Sequence, residues 1–115
     1  MQETQDQPVR DGEDDELTIS DEPAEARYEA ALGDRIVGIA EYELEDDRIV
    51  FVHTEVDPTV EGRGIGGALA RGAIDDARSR GLAVTVECPF ITTWLRRHRA
   101  EYPDLVGALP QRPPA

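Results

Sequence analysis

Between Gly62 and Gly67 the chain reads Gly-Arg-Gly-Ile-Gly-Gly, four glycines in six residues. Glycine takes positive φ without strain and lets a ligand come close to the main chain. A helix starting here would leave its first N–H groups unpaired at the positive end of its dipole, an arrangement suited to a phosphate or pyrophosphate. Gly62, Arg63, Gly64, Ile65, Gly66 and Gly67 are therefore candidates for holding a phosphate-bearing ligand; a plain tight turn is the other use of such a run. Upstream, His53 and Glu55 stand two apart, on one face of any strand. Histidine titrates near neutrality, so His53 is a candidate base for an ammonium group. Downstream lies Cys88, the lone cysteine. It is either a nucleophile activated by His53 or a small buried residue. One cysteine excludes an internal disulfide, and two His with one Cys fall short of a usual zinc site, so no metal is expected.

These groups need elements to position them. Arg27 to Leu32, Arg35 to Leu44 and Arg48 to Val56 read as successive strands, with Gly33-Asp34 and Glu45-Asp46-Asp47 as turns. Short connections imply an antiparallel meander. In the last strand Ile49 and Phe51 point one way and Val50, Val52 and Val56 the other, which predicts a central strand covered on both faces. Asp57-Pro58 ends it. From Gly66 to Arg80 the period becomes helical: Leu69, Ala70, Ala73, Ile74 and Ala77 form an apolar stripe opposite Arg71, Asp75, Arg78 and Ser79. Gly81 is placed to stop this helix. Leu82 to Glu87 is a strand again, so strand–helix–strand predicts a parallel pair. Pro89 opens a C-terminal helix, with Phe90, Ile91, Trp94, Leu95 and His98 at helical spacing. The class is α/β (α+β): a meander followed by strand–helix–strand with parallel central strands and a closing helix.

The 115 residues suit one domain. Eleven acidic groups against Arg10 and Arg27 fill the first 29 residues, with few large apolar side chains. We expect residues 1–20 to be a disordered acidic tail, residues 21–108 the folded domain, and residues 109–115, rich in proline, a flexible tail. Much of the net charge of −13 sits at that acidic end; residues 30–115 carry ten Arg against fourteen acidic groups. Such a balance argues against a nucleic-acid partner. No stretch approaches the ~20 apolar residues of a membrane span, and a soluble cytoplasmic protein is expected.

Two phosphate-binding motifs fail. Gly62, Gly64 and Gly67 fit G-x-G-x-x-G, but a meander precedes them and too little chain follows for a doubly wound sheet. No Gly-Lys-Ser/Thr is present for a nucleoside-triphosphate loop. The order of elements instead resembles the Gcn5-related N-acetyltransferase (GNAT) fold. The family signature Gln/Arg-x-x-Gly-x-Gly/Ala is matched by Glu61-Gly62-Arg63-Gly64-Ile65-Gly66 at Gly64 and Gly66, with Glu61 departing from it. Within that superfamily the chain is similar to the minimal, YjdJ-type branch over about Arg27 to Val106. The residues that match are His53-Thr54-Glu55-Val56, the glycine loop, Cys88-Pro89-Phe90, and Arg97-His98 followed by Glu101-Tyr102 and Leu105-Val106. Arg99-Ala100 stands where relatives have Pro.

What the resemblance implies is acetyl transfer from acetyl-CoA (coenzyme A) to an amine acceptor, a small molecule or a protein amine. It puts the thioester where the parallel strands splay, its carbonyl on a main-chain N–H near Val56 and Asp57. It makes His53 the base, gives Cys88 a place in the same cleft, and makes Tyr102 the candidate acid for the leaving thiolate. Direct transfer is preferred to an acyl-cysteine. Arg96, Arg97 and Arg99 are read as solvated rather than as partners of the CoA 3′-phosphate. The alternative function is a CoA-binding module without turnover, acting as a sensor or partner protein.

Overall fold

The computed structural model describes residues 16–109. Strand β1 spans Leu17–Glu22, β2 Arg27–Leu32, β3 Arg35–Glu45 and β4 Arg48–Val56. Helix α1 spans Ile65–Ser79, β5 Ala83–Val86, α2 Pro89–Arg97 and α3 Pro103–Gly107. The sheet order is β1-β2-β3-β4-β5, antiparallel up to β4 and parallel between β4 and β5. The predicted meander and strand–helix–strand are both present.

The meander has one strand more than the sequence suggested. Leu17 to Ser20, assigned above to the acidic tail, pair with β2. Ile19 faces α1, and a β-carbon placed on Gly72 would lie 2.9 Å from its Cγ2. Leu17 and Ile19 on the core, with Asp21 bonded by Tyr42 and Arg80, secure a strand too polar to be recognised by composition. Residues 1–15 and 110–115 lie outside the described residues. Leu109, assigned to the C-terminal tail, is buried in the core.

Two bulges set which side chains face the helices. Val37 is the extra residue of β3 against β2, where Gly38 pairs with Ala30 and Ile36 with Ala31. Val52 is the extra residue of β4 against β3, where Glu41 pairs with His53 and Tyr42 with Phe51. Simple alternation put His53 and Glu55 on the Phe51 face and Val56 on the other. The bulge at Val52 reverses this. Val56 packs on the core, whereas His53 and Glu55 are exposed.

The core lies between one face of the sheet and the helices. It joins Tyr28, Tyr42, Ile49 and Phe51 to Leu69, Ala73 and Ile74 of α1 and Ile91 and Leu95 of α2. Tyr28, Tyr42 and Phe51 form an aromatic trio with centroids 5.6–6.3 Å apart. Truncating a ring as buried as Phe51 costs about 3–5 kcal/mol. The expected cover on both faces of β4 extends only to Val50, which is buried but lies outside this cluster.

Helix α1 ends as predicted. Gly81 is left-handed (φ 80°), and the Leu82 N–H returns to the Ala77 carbonyl at 3.1 Å. Its last turn is tied to three strands. Arg80 donates to Asp21 at 2.7 Å and to the Tyr28 hydroxyl at 2.9 Å, while Tyr28 donates to Asp76 and Tyr42 to Asp21. Among the described residues, no helix is long and apolar enough to cross a membrane.

Candidate active site

Parallel pairing of β4 with β5 stops at Phe51 and Val86. Beyond it, the Glu87 and Cys88 N–H groups both turn back to the Phe51 carbonyl, at 2.9 and 3.1 Å. β5 thus ends as β4 bulges at Val52 and runs on to Val56, leaving β4 without a partner on that edge. The splay that the family resemblance implied is therefore a bulge facing a strand end.

Main-chain groups of an antiparallel strand alternate between its two edges. The Asp57 N–H donates to the Val37 carbonyl at 2.8 Å, on the β3 side. The Val56 N–H therefore points to the opposite edge, where β5 has ended, and has no ladder partner. Of the two residues expected to offer an N–H, Val56 has it available and Asp57 does not. The Asp57 carboxylate accepts from the Thr59 N–H at 2.9 Å and from its hydroxyl at 2.8 Å, capping the single turn Pro58–Val60. Arg35 adds a third donor at 3.3 Å. The Thr59 N–H, chiefly, holds this carboxyl below its ordinary value.

The glycines of the loop divide into two jobs. Gly62 and Gly64 have φ of 85° and 79°, and a β-carbon on either would meet nothing within 4 Å, so backbone conformation requires them and space beside them is open. Gly66 and Gly67 lie inside the first turn of α1, one residue earlier than the helix start expected. There they serve close packing: a β-carbon on Gly66 would lie 2.5 Å from Phe90 Cζ, and one on Gly67 2.9 Å from Trp94 Nε1. Gly64 is the N-cap and no side chain caps the helix. The first N–H groups of α1, on Ile65, Gly66 and Gly67, thus face outward beside open space, which fits a pyrophosphate. Arg63 and Glu61 are both exposed.

Cys88 is buried at the N-cap of α2, its Sγ 3.1 Å from Thr54 Oγ1. Thr54 points to the core face, so its neighbours His53 and Glu55 point away. The structure does not bring His53 to Cys88, and the expected shared cleft is corrected to two faces of one strand. Thr54 was missed because the alternation was read without the bulge. His53 Nε2 donates to Glu55 at 2.9 Å, and that bond raises the imidazole pKa above its ordinary value.

Tyr102 has a partner of its own. Its hydroxyl donates to Asp75 at 2.8 Å, and burial, then that bond, pushes it up to about 12. Asp75 is ten residues along α1 from Ile65, about 15 Å down the helix. The ring packs on Trp94, which stacks on His98 at 4.2 Å. Tyr102 braces α3 against α1 rather than facing the splay. Among the described residues, no three His, Cys, Asp or Glu side chains gather as a metal site would need.

A family model described as GCN5-related N-acetyl-transferase matches residues 27–105. The chain belongs to the GCN5-related N-acetyltransferase family. The match runs from the start of β2 into α3 and includes the bulge, the glycine loop and Cys88. No curated protein matches the chain. Among solved structures, the ribosomal-protein-S18-alanine N-acetyltransferase from Escherichia coli is 23% identical with a TM-score of 0.49. That likeness covers 52% of this chain and 39% of the other, so the chain spans less than half of that enzyme.

Proposed function

We propose that this GCN5-related protein is an acetyl-CoA-dependent N-acetyltransferase acting on an amine. The observation that carries the reading is the junction of a strand splay with an uncapped helix N-terminus. The Val56 N–H opens into the splay, and the N–H groups of Ile65, Gly66 and Gly67 lie across the loop from it. The thioester of acetyl-CoA supplies an activated acetyl group. This chain contributes donors at both ends of such a ligand: helix N–H groups for the pyrophosphate and the Val56 N–H for the carbonyl that gains negative charge. Asp57, the other residue near which that N–H was expected, is a capping residue whose own N–H goes to Val37.

His53 is the base in this reading. The ammonium of an acceptor must lose a proton before it attacks, and His53 with Glu55 is exposed on the sheet face beside Val56. By stabilising the imidazolium, Glu55 raises the pH at which His53 becomes a free base. Cys88 favours direct transfer over an acyl-enzyme, because it is bonded to Thr54 and separated from His53 by the strand itself. Tyr102, spent on Asp75, is not assigned the acid role.

The second reading is a CoA-binding module without turnover. It is favoured by one observation: Cys88 is buried against Thr54 and the Tyr102 hydroxyl is held by Asp75. Calorimetric titration with acetyl-CoA, with NADH as control, tests the ligand. Release of free thiol across a panel of amines then separates enzyme from module. Saturable acetyl-CoA binding with amine-dependent thiol release is expected. Binding without release would leave the module, and absence of acetyl-CoA binding up to millimolar concentration would sink both.

A further inference from the structure

The end of β3 and β4 carries a depression of about 300 Å³. Ile36, Ile39 and Pro58 give it apolar walls, and Glu55, Val56 and Asp57 line the rest. Its two carboxylates differ. Asp57 is occupied by Thr59 and Arg35, whereas Glu55, paired with the His53 imidazole among the described residues, is largely open to solvent. Ile36 is 47% exposed, a large apolar side chain held out beside a carboxylate. Val56 belongs to both places: it lines this depression, and its N–H opens into the splay. Gly38, which pairs with Val56, borders it through its main chain.

Resting on the transferase reading above, we infer that this depression is the acceptor subsite and that it takes a small primary ammonium carrying a short branched apolar group. The charge is matched by Glu55 and the apolar group by Ile36, Ile39 and Pro58. The volume lies at the lower limit of ordinary ligand pockets, which admits one side chain or a small amine rather than a folded surface. An amine held at Glu55 sits beside His53, the residue that takes its proton, and one strand position from the N–H that holds the carbonyl. An anionic acceptor is excluded by the same carboxylate.

The test uses the full chain, labelled for amide NMR and titrated with isoamylamine, isoamyl alcohol and isovalerate. The amine is expected to give saturable shifts at Gly38, Ile39, Glu55 and Val56. The alcohol should bind about tenfold or more weakly and the acid not at all. Glu55→Gln, at an exposed position, should bring the amine down to the affinity of the alcohol. Ile36→Ala should weaken amine and alcohol alike. Equal response to amine and alcohol, unchanged amine affinity in Glu55→Gln, or shifts confined to other residues would overturn the subsite. Acetyl-CoA added to the same sample reports separately through the amides of Gly62 to Gly67. Amine binding without those shifts keeps the amine site and removes the transferase reading. Acetyl-CoA shifts without amine binding remove the subsite alone.

Discussion

His53 and Tyr102 were read from the sequence as base and acid, and their surroundings now separate them. His53 is exposed, its Nε2 bonded to Glu55, which favours the protonated ring. Replacing Glu55 by Gln removes that preference, so the His53 pKa should fall toward its ordinary value near 6.5. An NMR titration of the ring C–H resonances reads this directly; an unchanged or higher value would contradict the assigned cause. Tyr102 makes the opposite case. An acid acting in the reaction contributes about 10²–10⁴-fold to rate, whereas a buried hydroxyl bonded to Asp75 contributes about 1 kcal/mol to stability. Tyr102→Phe should therefore keep thiol release within about twofold while lowering stability by about 1 kcal/mol. A hundredfold loss of turnover with unchanged stability would restore the acid role.

At the scale of elements, the glycine loop is two devices in one stretch. Gly62 and Gly64 shape the approach to α1 through left-handed backbone, while Gly66 and Gly67 let α2 lie against its first turn. The two packing glycines should respond differently. Phe90 is 42% exposed and can swing away from a new methyl at Gly66. Trp94 is buried, stacked on His98 and covered by Arg71 at 5.2 Å, so it has nowhere to move. Gly67→Ala should cost about 1–3 kcal/mol, the usual range for overpacking, and Gly66→Ala distinctly less, by urea unfolding. Equal costs would mean that α2 shifts as a unit. The other fixed element is α3 with the turn before it, held to α1 by ion pairs from Arg71 to Glu101 in the turn and from Arg78 to Asp104 in the helix. Those pairs are exposed and contribute little each, so the buried Tyr102 is the main tie.

For the whole molecule, three buried tyrosines each donate to a carboxylate on another element: Tyr28 to Asp76, Tyr42 to Asp21 and Tyr102 to Asp75. Burial is the first cause of the rise in all three, and Tyr42 and Tyr102 are pushed up to about 12. The unfolded chain ionises its tyrosines near pH 10. A folded value above the unfolded one means that the stability is fully present below pH 10 and is lost as pH climbs through the folded values. The protein should therefore unfold cooperatively between about pH 10 and 12, with phenolate absorbance and loss of near-ultraviolet circular dichroism rising together. Phenolate formation near pH 10 in a still-folded protein would show the hydroxyls to be exposed.

The sequence by itself determined the order of strands and helix, the parallel pair, the glycine loop and the Gly81 stop. These rest on local properties: hydrophobic period, proline at element ends, and glycine where φ must be positive. It also offered Val56, the loop and His53 as candidate site residues. Only the tertiary structure decided which way the residues face. A bulge is a mismatch between two strands, so Val52 carries no mark of it in β4 alone. That single extra residue turned Thr54 toward Cys88 and His53 away from it. Asp57 and Tyr102 were likewise legible as polar groups near the right elements, but their partners Val37, Thr59, Arg35 and Asp75 come from elsewhere in the chain. β1 was overlooked for the same reason: its partners are distant in the chain, Gly72 beside Ile19 and Arg80 and Tyr42 on Asp21. Hydrophobic period is a property of one segment, whereas hydrogen-bond partners and bulges are properties of pairs, and pairs exist only once the chain has folded.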